Sequence, residues 1–231
     1  MRPKRGSGAG AIGIDWGLET FATVVDANGK TTDIKNPRFV RKNLKSLKAD
    51  QRKLSKKKRG SSNRKRARKR VAKRHGKIAN QRKDFLHQTT ARLIKENALI
   101  ATEKLNVKGM SSSGGSYKKG LNREILSAAP SDFHKMLKAK AEEAEIELIE
   151  IPTRQVKPSQ TCHGCGKQEK KTLAIRRHVC ECGVSCGRDE NAAKVILNWA
   201  LVGNATGWEP AWCGASGLPL AKKHETPPIA A

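Results

Sequence analysis

Gly13-Ile14-Asp15-Trp16-Gly17-Leu18, followed by Phe21-Ala22-Thr23-Val24-Val25-Asp26-Ala27-Asn28-Gly29, is the stretch that decides the fold. The first run reads as a buried strand whose apolar residues stop at a carboxylate. Gly17 leaves the backbone open, and a second strand turns back at Asn28-Gly29. Asn-Gly between two β-rich runs is the strongest short hairpin signal a sequence offers. An acid at a strand end is by itself an ordinary solvated side chain, so the weight of Asp15 depends on partners elsewhere.

Composition narrows the class. A chain of 231 residues holds one ordinary domain plus an appendage and buries a real core. A formal charge of +27 implies a polyanionic partner, for which nucleic acid is the default. The chain contains no run of about 18 apolar residues, which excludes a membrane span and a membrane partner. Residues 1–10 are basic and flexible in character, but no apolar stretch follows them, so they do not read as a signal peptide. Four of the six cysteines sit in two close pairs, which favours metal over disulfides in such a chain.

The charge is concentrated. Between Arg41 and Lys83 lie 21 Lys and Arg against one acid, Asp50. Apolar residues recur through this arm at helical spacing: Leu44, Leu47 and Leu54 in one stripe, then Val71, Ile78, Phe85 and Leu93. Gly60-Ser61-Ser62-Asn63 interrupts the pattern. Residues 41–96 are therefore expected to form a basic helical hairpin with narrow apolar seams. Like-charge crowding of this density costs stability unless counter-charge is present, so phosphate contact is the expected role. Such contact is salt-sensitive and largely blind to sequence. Before and at the turn the candidates are Lys56, Lys57, Lys58, Arg59 and Arg64. Beyond it they are Lys65, Arg66, Arg68, Lys69, Arg70, Lys73 and Arg74.

A second apolar run, Ala98 to Thr102, again ends at a carboxylate, Glu103, and is expected to be a buried strand. Ser111 to Ser116 follows as a loop, either a lid over a cleft or a plain linker. From Asn122 to Ala144 the pattern is helical, with Ile125, Leu126, Phe133, Met136, Leu137, Ala141 and Ala144 on one broad face. Pro130-Ser131-Asp132 predicts a break or a fresh helix start near Ser131. Ile146 to Ile151 is a strand closed by Pro152. Strands, helices, strand, helix and strand in this order suit a mixed α/β sheet with helices on its faces.

Cys162 and Cys165 form one pair, and Cys180 and Cys182 a second, with 14 residues between the pairs. Two such pairs on Gly-containing turns supply what a tetrahedral thiolate zinc site needs, with a hairpin between them. A redox pair or free thiols are the alternatives. The second pair is Cys-X-Cys, and Cys186 lies close behind, so either both Cys180 and Cys182 bind or Cys186 replaces one of them. Cys213 has no such context.

The third acid, Asp189, starts a helix marked by Ala192, Ala193, Val195, Ile196, Trp199 and Ala200. Alone it would complement the helix dipole. Residues 203–231 turn Gly-, Pro- and Ala-rich and are expected to fray as a flexible tail. Together, two strand-end acids and one helix-start acid can converge at one edge of an RNase H-like sheet. Three acids there hold two divalent cations about 3.5–4 Å apart, one activating water and the other stabilising the leaving 3′-oxygen of a phosphodiester. Mg²⁺ suits oxygen ligands and an incomplete protein shell, and Mn²⁺ is the substitute.

On these residues the sequence resembles the carboxy-terminal half of the transposon-encoded TnpB (OrfB) proteins, relatives of type V CRISPR effectors. Their RuvC nuclease domain is split into three blocks, with a zinc ribbon inserted before the third. Ile12-Gly13-Ile14-Asp15-Trp16-Gly17-Leu18 resembles the first block, Glu103-Lys104-Leu105-Asn106-Val107-Lys108-Gly109-Met110 the second, and Arg188-Asp189-Glu190-Asn191-Ala192-Ala193 the third. The resemblance covers about residues 11–202 and implies that Asp15, Glu103 and Asp189 are the catalytic metal ligands. Ser159 to Gly166 resembles the opening of the ribbon.

The implied organisation is a RuvC-like unit over 11–158 and 188–202, carrying the basic hairpin and a ribbon at 159–187. The implied activity is an RNA-guided DNA endonuclease serving a mobile element, cytoplasmic and nucleoid-associated in a prokaryote, with DNA and a guide RNA as partners. The family's large amino-terminal part has no counterpart here, so a truncated member, or one using a separate amino-terminal lobe, is expected. Gly187 stands where the family usually has an Asp. Two other readings use the same residues: a non-catalytic nucleic-acid-binding fragment or regulator, and an RNase H-fold transposase that joins strands.

Overall fold

The computed structural model describes residues 8–112, 114–172 and 174–202. The expected tail at 203–231, with Cys213, and residues 1–7 of the expected basic N-terminus lie outside the described residues. The chain opens with β1 (Gly10–Trp16), β2 (Thr20–Asp26) and β3 (Thr31–Lys35), a three-strand meander. The turn between β2 and β3 works as its residues predict. Gly29 takes φ 79°, open to glycine without strain, and the Asp26 carboxylate accepts from the amides of Asn28 and Lys30, each at 2.9 Å.

Two helices follow, α1 (Phe39–Ser55) and α2 (Ser62–Glu96). The Ser61 hydroxyl caps α2 by accepting from the Arg64 amide. The break thus falls at residues 56–61, and Ser62 and Asn63, expected in the turn, already belong to the helix. At 35 residues α2 is about 52 Å long at 1.5 Å per residue. Its first half pairs with α1, while its second half buries Leu86, Leu93 and Ile94 in the core.

Next come β4 (Asn97–Glu103), the short α3 (Val107–Met110), α4 (Ser116–Ala128), α5 (Pro130–Ala144) and β5 (Glu147–Ile151). The fresh helix start expected near Ser131 is there: α5 begins at Pro130, directly after a break at Ala129. Ala129 is left-handed (φ 52°) and joins the two helices, and Pro130 occupies the first turn of α5, where its missing N–H costs no hydrogen bond. Leu126, expected on the buried face, is 59% exposed. The chain ends its described course with α6 (Thr153–Val156), the hairpin β6 (Arg177–Val179) and β7 (Ser185–Gly187), and α7 (Arg188–Val202).

The sheet has the order β3-β2-β1-β4-β5, with β1 parallel to β4 and β4 parallel to β5. This is the mixed α/β sheet that the element order predicts. One face packs on α2 and α5 through Ile12, Ile14, Ile100, Phe133 and Leu137, with Phe21 edge-on to Phe85 and Phe133 at 5.0 and 5.2 Å. The other packs on α7 through Ala101, Ile151, Val195 and Ile196. No helix among the described residues is long and apolar enough to cross a membrane.

Candidate functional site

The parallel register decides which side chains meet. Gly13 pairs with Ala101 and Ile14 with Thr102, so Asp15 and Glu103 end neighbouring strands side by side. Side chains two apart on a strand share a face. Asp15 therefore points with Gly13, and Glu103 with Ala101, toward α7. A Cβ on Gly13 would collide with the Ala193 carbonyl and lie 2.8 Å from the Leu197 Cβ. Glycine lets α7 settle on the sheet, and one turn before Ala193 stands Asp189.

The electrostatics report the same convergence. Asp15 is held well above the ordinary carboxylate range by burial first, then by the charge of Glu103, a hydrogen bond with it, and the charge of Asp189. Arg188 pulls the other way. Burial also raises Glu103, and its hydrogen bond with Asp15 partly offsets this. Asp15 and Glu103 are hydrogen-bonded to each other, and sharing one proton relieves the repulsion that two ionised acids would feel. Asp15 and Glu103 offer oxygen donors that need positive charge and so suit a hard divalent cation. Asp189 stands within reach of Asp15's charge but does not share one tight ligand sphere with them. Among the described residues, only four cysteines bring three or more ligand atoms within 4.8 Å of one another. Arg188 is fastened beside these acids, its guanidinium donating to the Thr172 carbonyl at 3.0 Å.

Four cysteine thiols also come together. The sulfurs of Cys162, Cys165, Cys180 and Cys182 lie within 4.8 Å of one another, with Cys162–Cys182 at 3.6 Å and Cys165–Cys180 at 3.5 Å. Cys186 stands outside this group, on β7 opposite His178. The short second pair reaches the site because Gly183, at φ 90°, turns the chain between β6 and β7. Burial pushes the Cys162 thiol up to about 12, whereas a hydrogen bond from the Val184 amide draws Cys182 down to about 7. Four converging sulfurs on tight turns fit a tetrahedral zinc ion.

Asn191 joins the two centres, and the sequence reading missed it. It is fully buried on α7, two residues after Asp189. Its Nδ2 donates to the Thr161 carbonyl at 2.7 Å, and its Oδ1 accepts from the His163 amide at 3.1 Å and faces His163 Nδ1 at 2.9 Å. The cysteine turn at Cys162-His163 is thereby hydrogen-bonded to the helix that carries Asp189. A polar residue beside Ala192-Ala193, with Asn198 two turns on in a largely apolar helix, was the available signal.

In the basic hairpin, two of the twelve expected phosphate contacts have structural partners. Arg74 donates to Asp50 at 2.6 Å across the helix pair, and Arg64 donates to the carbonyls of Leu54 and Lys57 at the end of α1. The other ten, Lys56 to Arg59, Lys65, Arg66, Arg68, Lys69, Arg70 and Lys73, are exposed.

Comparisons with known proteins converge on one group. The family model OrfB_IS605, described as a probable transposase, matches residues 2–114, and that of the Cas12f1-like TNB domain matches residues 131–196. A putative RNA-guided DNA endonuclease of Streptomyces pristinaespiralis is 36% identical over 198 residues, 85% of this chain and 47% of that protein. The putative RNA-guided DNA endonuclease InsQ of Escherichia coli (strain K12) is 31% identical over 230 residues, 93% of this chain and 54% of that protein. TnpB-like protein L79 of Acanthamoeba polyphaga mimivirus is 30% identical over 201 residues, 83% and 37% respectively.

The chain thus spans about half the length, or less, of the curated relatives it matches. Among solved structures, a chain of a CRISPR-Cas12f ternary complex superposes with a TM-score of 0.61 at 22% identity, over 86% of this chain and 41% of that one. A chain of a Cas12f1-sgRNA-target DNA complex gives 0.56 at 19%, over 83% and 50%. At these identities the likeness shows a shared fold alone.

Proposed function

The chain belongs to the OrfB (TnpB) family, and from that premise we propose that it is the RuvC-type, divalent-metal-dependent nuclease unit of a TnpB-like RNA-guided DNA endonuclease. The observation that carries this reading is the hydrogen-bonded pair Asp15–Glu103, at the ends of adjacent parallel strands and within electrostatic reach of Asp189. The unit comprises residues 11–158 and 188–202, with the basic hairpin at 41–96 and a zinc ribbon at 159–187.

When bound, two Mg²⁺ or Mn²⁺ ions would supply water activation and charge neutralisation at the scissile phosphodiester. Asp15 and Glu103 hold that charge from the strand side and Asp189 from the helix side. Arg188, tied to the ribbon backbone, places a guanidinium where phosphate oxygens approach. Cys162, Cys165, Cys180 and Cys182 would hold a structural zinc, and Asn191 braces their turn against α7. The exposed cations of the hairpin bind nucleic-acid backbone, so association weakens steeply with salt. DNA is the substrate and a guide RNA the partner in this reading, as the relatives' names support.

The test is cleavage of labelled single-stranded DNA with Mg²⁺ or Mn²⁺, beside an Asp15→Ala version. Cutting by the first alone supports the proposal, and equal absence of cutting favours a nucleic-acid-binding fragment. The description of the matched family model as a transposase favours one second reading, strand joining by the same acids. Ligated products in the same reaction would reveal it.

A further inference from the structure

The hairpin's cations are sorted onto two opposite faces. On α1, Arg41, Lys45, Lys48, Arg52 and Lys56 (Lys56 just past its last residue) follow one another at steps of three or four, and all are exposed. On α2 the exposed residues Arg66, Arg70, Lys73 and Lys77 make a second such row. At 3.6 residues per turn, the α1 row lies about 140° round from buried Leu47. The α2 row lies about 110° round from buried Ile78, in the opposite sense.

In an antiparallel pair, equal turns in one sense lead to the same face of the hairpin, and turns in opposite senses lead to opposite faces. The ion pair between Asp50 and Arg74 checks this geometry. Both residues lie about 40–60° round from the seam in the sense of the α2 row, and they do meet. Lys65 and Arg68 join the α1 face by the same reckoning, and Lys42 and Lys53 join the α2 face. Among the described residues, no cation of either row takes part in an ion pair of 4.0 Å or less; the nearby acid Asp50 is taken by Arg74.

One nucleic-acid segment cannot serve both rows. Each helix is about 10–12 Å across with its side chains, so the faces are separated by the hairpin's full thickness. A major groove about 12 Å wide admits one helix and not a pair. The rows run for roughly 22 Å and 17 Å along their helices, with a cation about every 5 Å, which is the reach of several successive backbone phosphates.

We propose that the α1–α2 hairpin is a two-sided clamp that lies between two double-stranded nucleic-acid segments and binds the phosphate backbone of each. The proposal rests on the reading of the hairpin as a phosphate-binding surface, and not on nuclease activity.

The test uses the full chain, zinc retained, in an Asp15→Ala background without added Mg²⁺ or Mn²⁺, so that cleavage cannot intervene. Donor- and acceptor-labelled 20-base-pair duplexes are mixed with it in three arms, DNA with DNA, RNA with RNA, and DNA with RNA. Energy transfer between the duplexes at one chain per pair is the expected result, and the arm that gives it names the ligands. Replacing Arg41, Lys45, Lys48 and Arg52 by Gln, or Arg66, Arg70, Lys73 and Lys77 by Gln, should each abolish the transfer while leaving one duplex bound. The slope of log K against log salt for the altered face should become shallower by about 3–4. Circular dichroism controls for helix content. One duplex per chain at saturation in all three arms, or transfer that survives loss of either row, would overturn the clamp. Absence of any duplex binding would instead sink the nucleic-acid reading of the hairpin.

Discussion

Gly13 on β1 and Ala193 on α7 are in backbone contact, with no room between them for even a methyl group. Two residues along a strand advance about 6.8 Å, and four residues along a helix advance about 6 Å. The step from Gly13 to Asp15 therefore nearly matches the step from Ala193 back to Asp189. A contact made entirely by small residues sets the separation of two acids that lie beyond it.

Gly13→Ala should consequently act at a distance. The added methyl must push α7 outward, an overpacking cost of roughly 1–3 kcal/mol. A lower Tm is expected from thermal unfolding. Cleavage, measured well below the new Tm, should fall by more than the unfolded fraction explains, because Asp189 moves with the helix. Unchanged activity at full folding would show that α7 relaxes without carrying Asp189 away.

Asp15→Asn should separate stability from chemistry. The folded carboxyl sits well above its usual range, so the folded state binds the proton more tightly than the unfolded state does. Between the ordinary value of 3.8 and the raised folded one, ionising Asp15 therefore costs stability as pH rises. The metal-free Asn variant should melt higher than the parent at neutral pH. That advantage should shrink as pH falls through the raised value and vanish below the ordinary one. Added Mg²⁺ should stabilise the parent more than the variant, and cleavage should drop on the order of 10²–10³-fold or more in the variant. Equal melting at all pH values would mean that Asp15 does not crowd Glu103.

Much of this arrangement was legible in the chain itself. Apolar runs ending at Asp15 and Glu103 announce strands that deliver acids to one edge, and Asn28-Gly29 announces the hairpin beside them. The seams of the basic arm showed in the spacing of Leu47, Leu54, Val71 and Ile78. What local pattern could not carry was partnership across distance. Arg74 counts as one more cation until Asp50, 24 residues earlier, is found against it. Leu126 shares a helical face with buried residues, yet periodicity does not say how far a neighbouring element extends over that face. Cys186 and Cys182 were equivalent by spacing alone, and only the turn at Gly183 separates them.

That separation has a direct readout in metal content. Cys182→Ser removes one sulfur of the quartet, and zinc measured after dialysis should fall from near one equivalent to well below it. Cys186→Ser should keep its zinc. A zinc ion held there would contribute folding free energy outright, so a chelator should lower the Tm of the parent and of the Cys186 variant alike. Zinc lost equally from both variants would move Cys186 into the ligand set.

Asn191 supplies the sharpest test of how the two centres are joined. Asn191→Ala strips the Thr161 carbonyl and the His163 amide of their partners in a buried setting, at about 1–3 kcal/mol for each group left unsatisfied. Asn191→Asp keeps the acceptor for His163 and loses the donor to Thr161, so it should retain part of the stability. A merely local packing role would lower Tm and nothing else. A brace between ribbon and helix should also speed zinc loss to a chelator, by roughly 10-fold or more as outer-shell partners do. It should weaken Mn²⁺ binding at the acids too, since Asp189 sits two residues away on the same turn. The two readouts should worsen together in the order parent, Asp, Ala. Zinc release that accelerates while Mn²⁺ affinity stays constant would confine Asn191 to the ribbon and leave Asp189 positioned by the Gly13 contact alone.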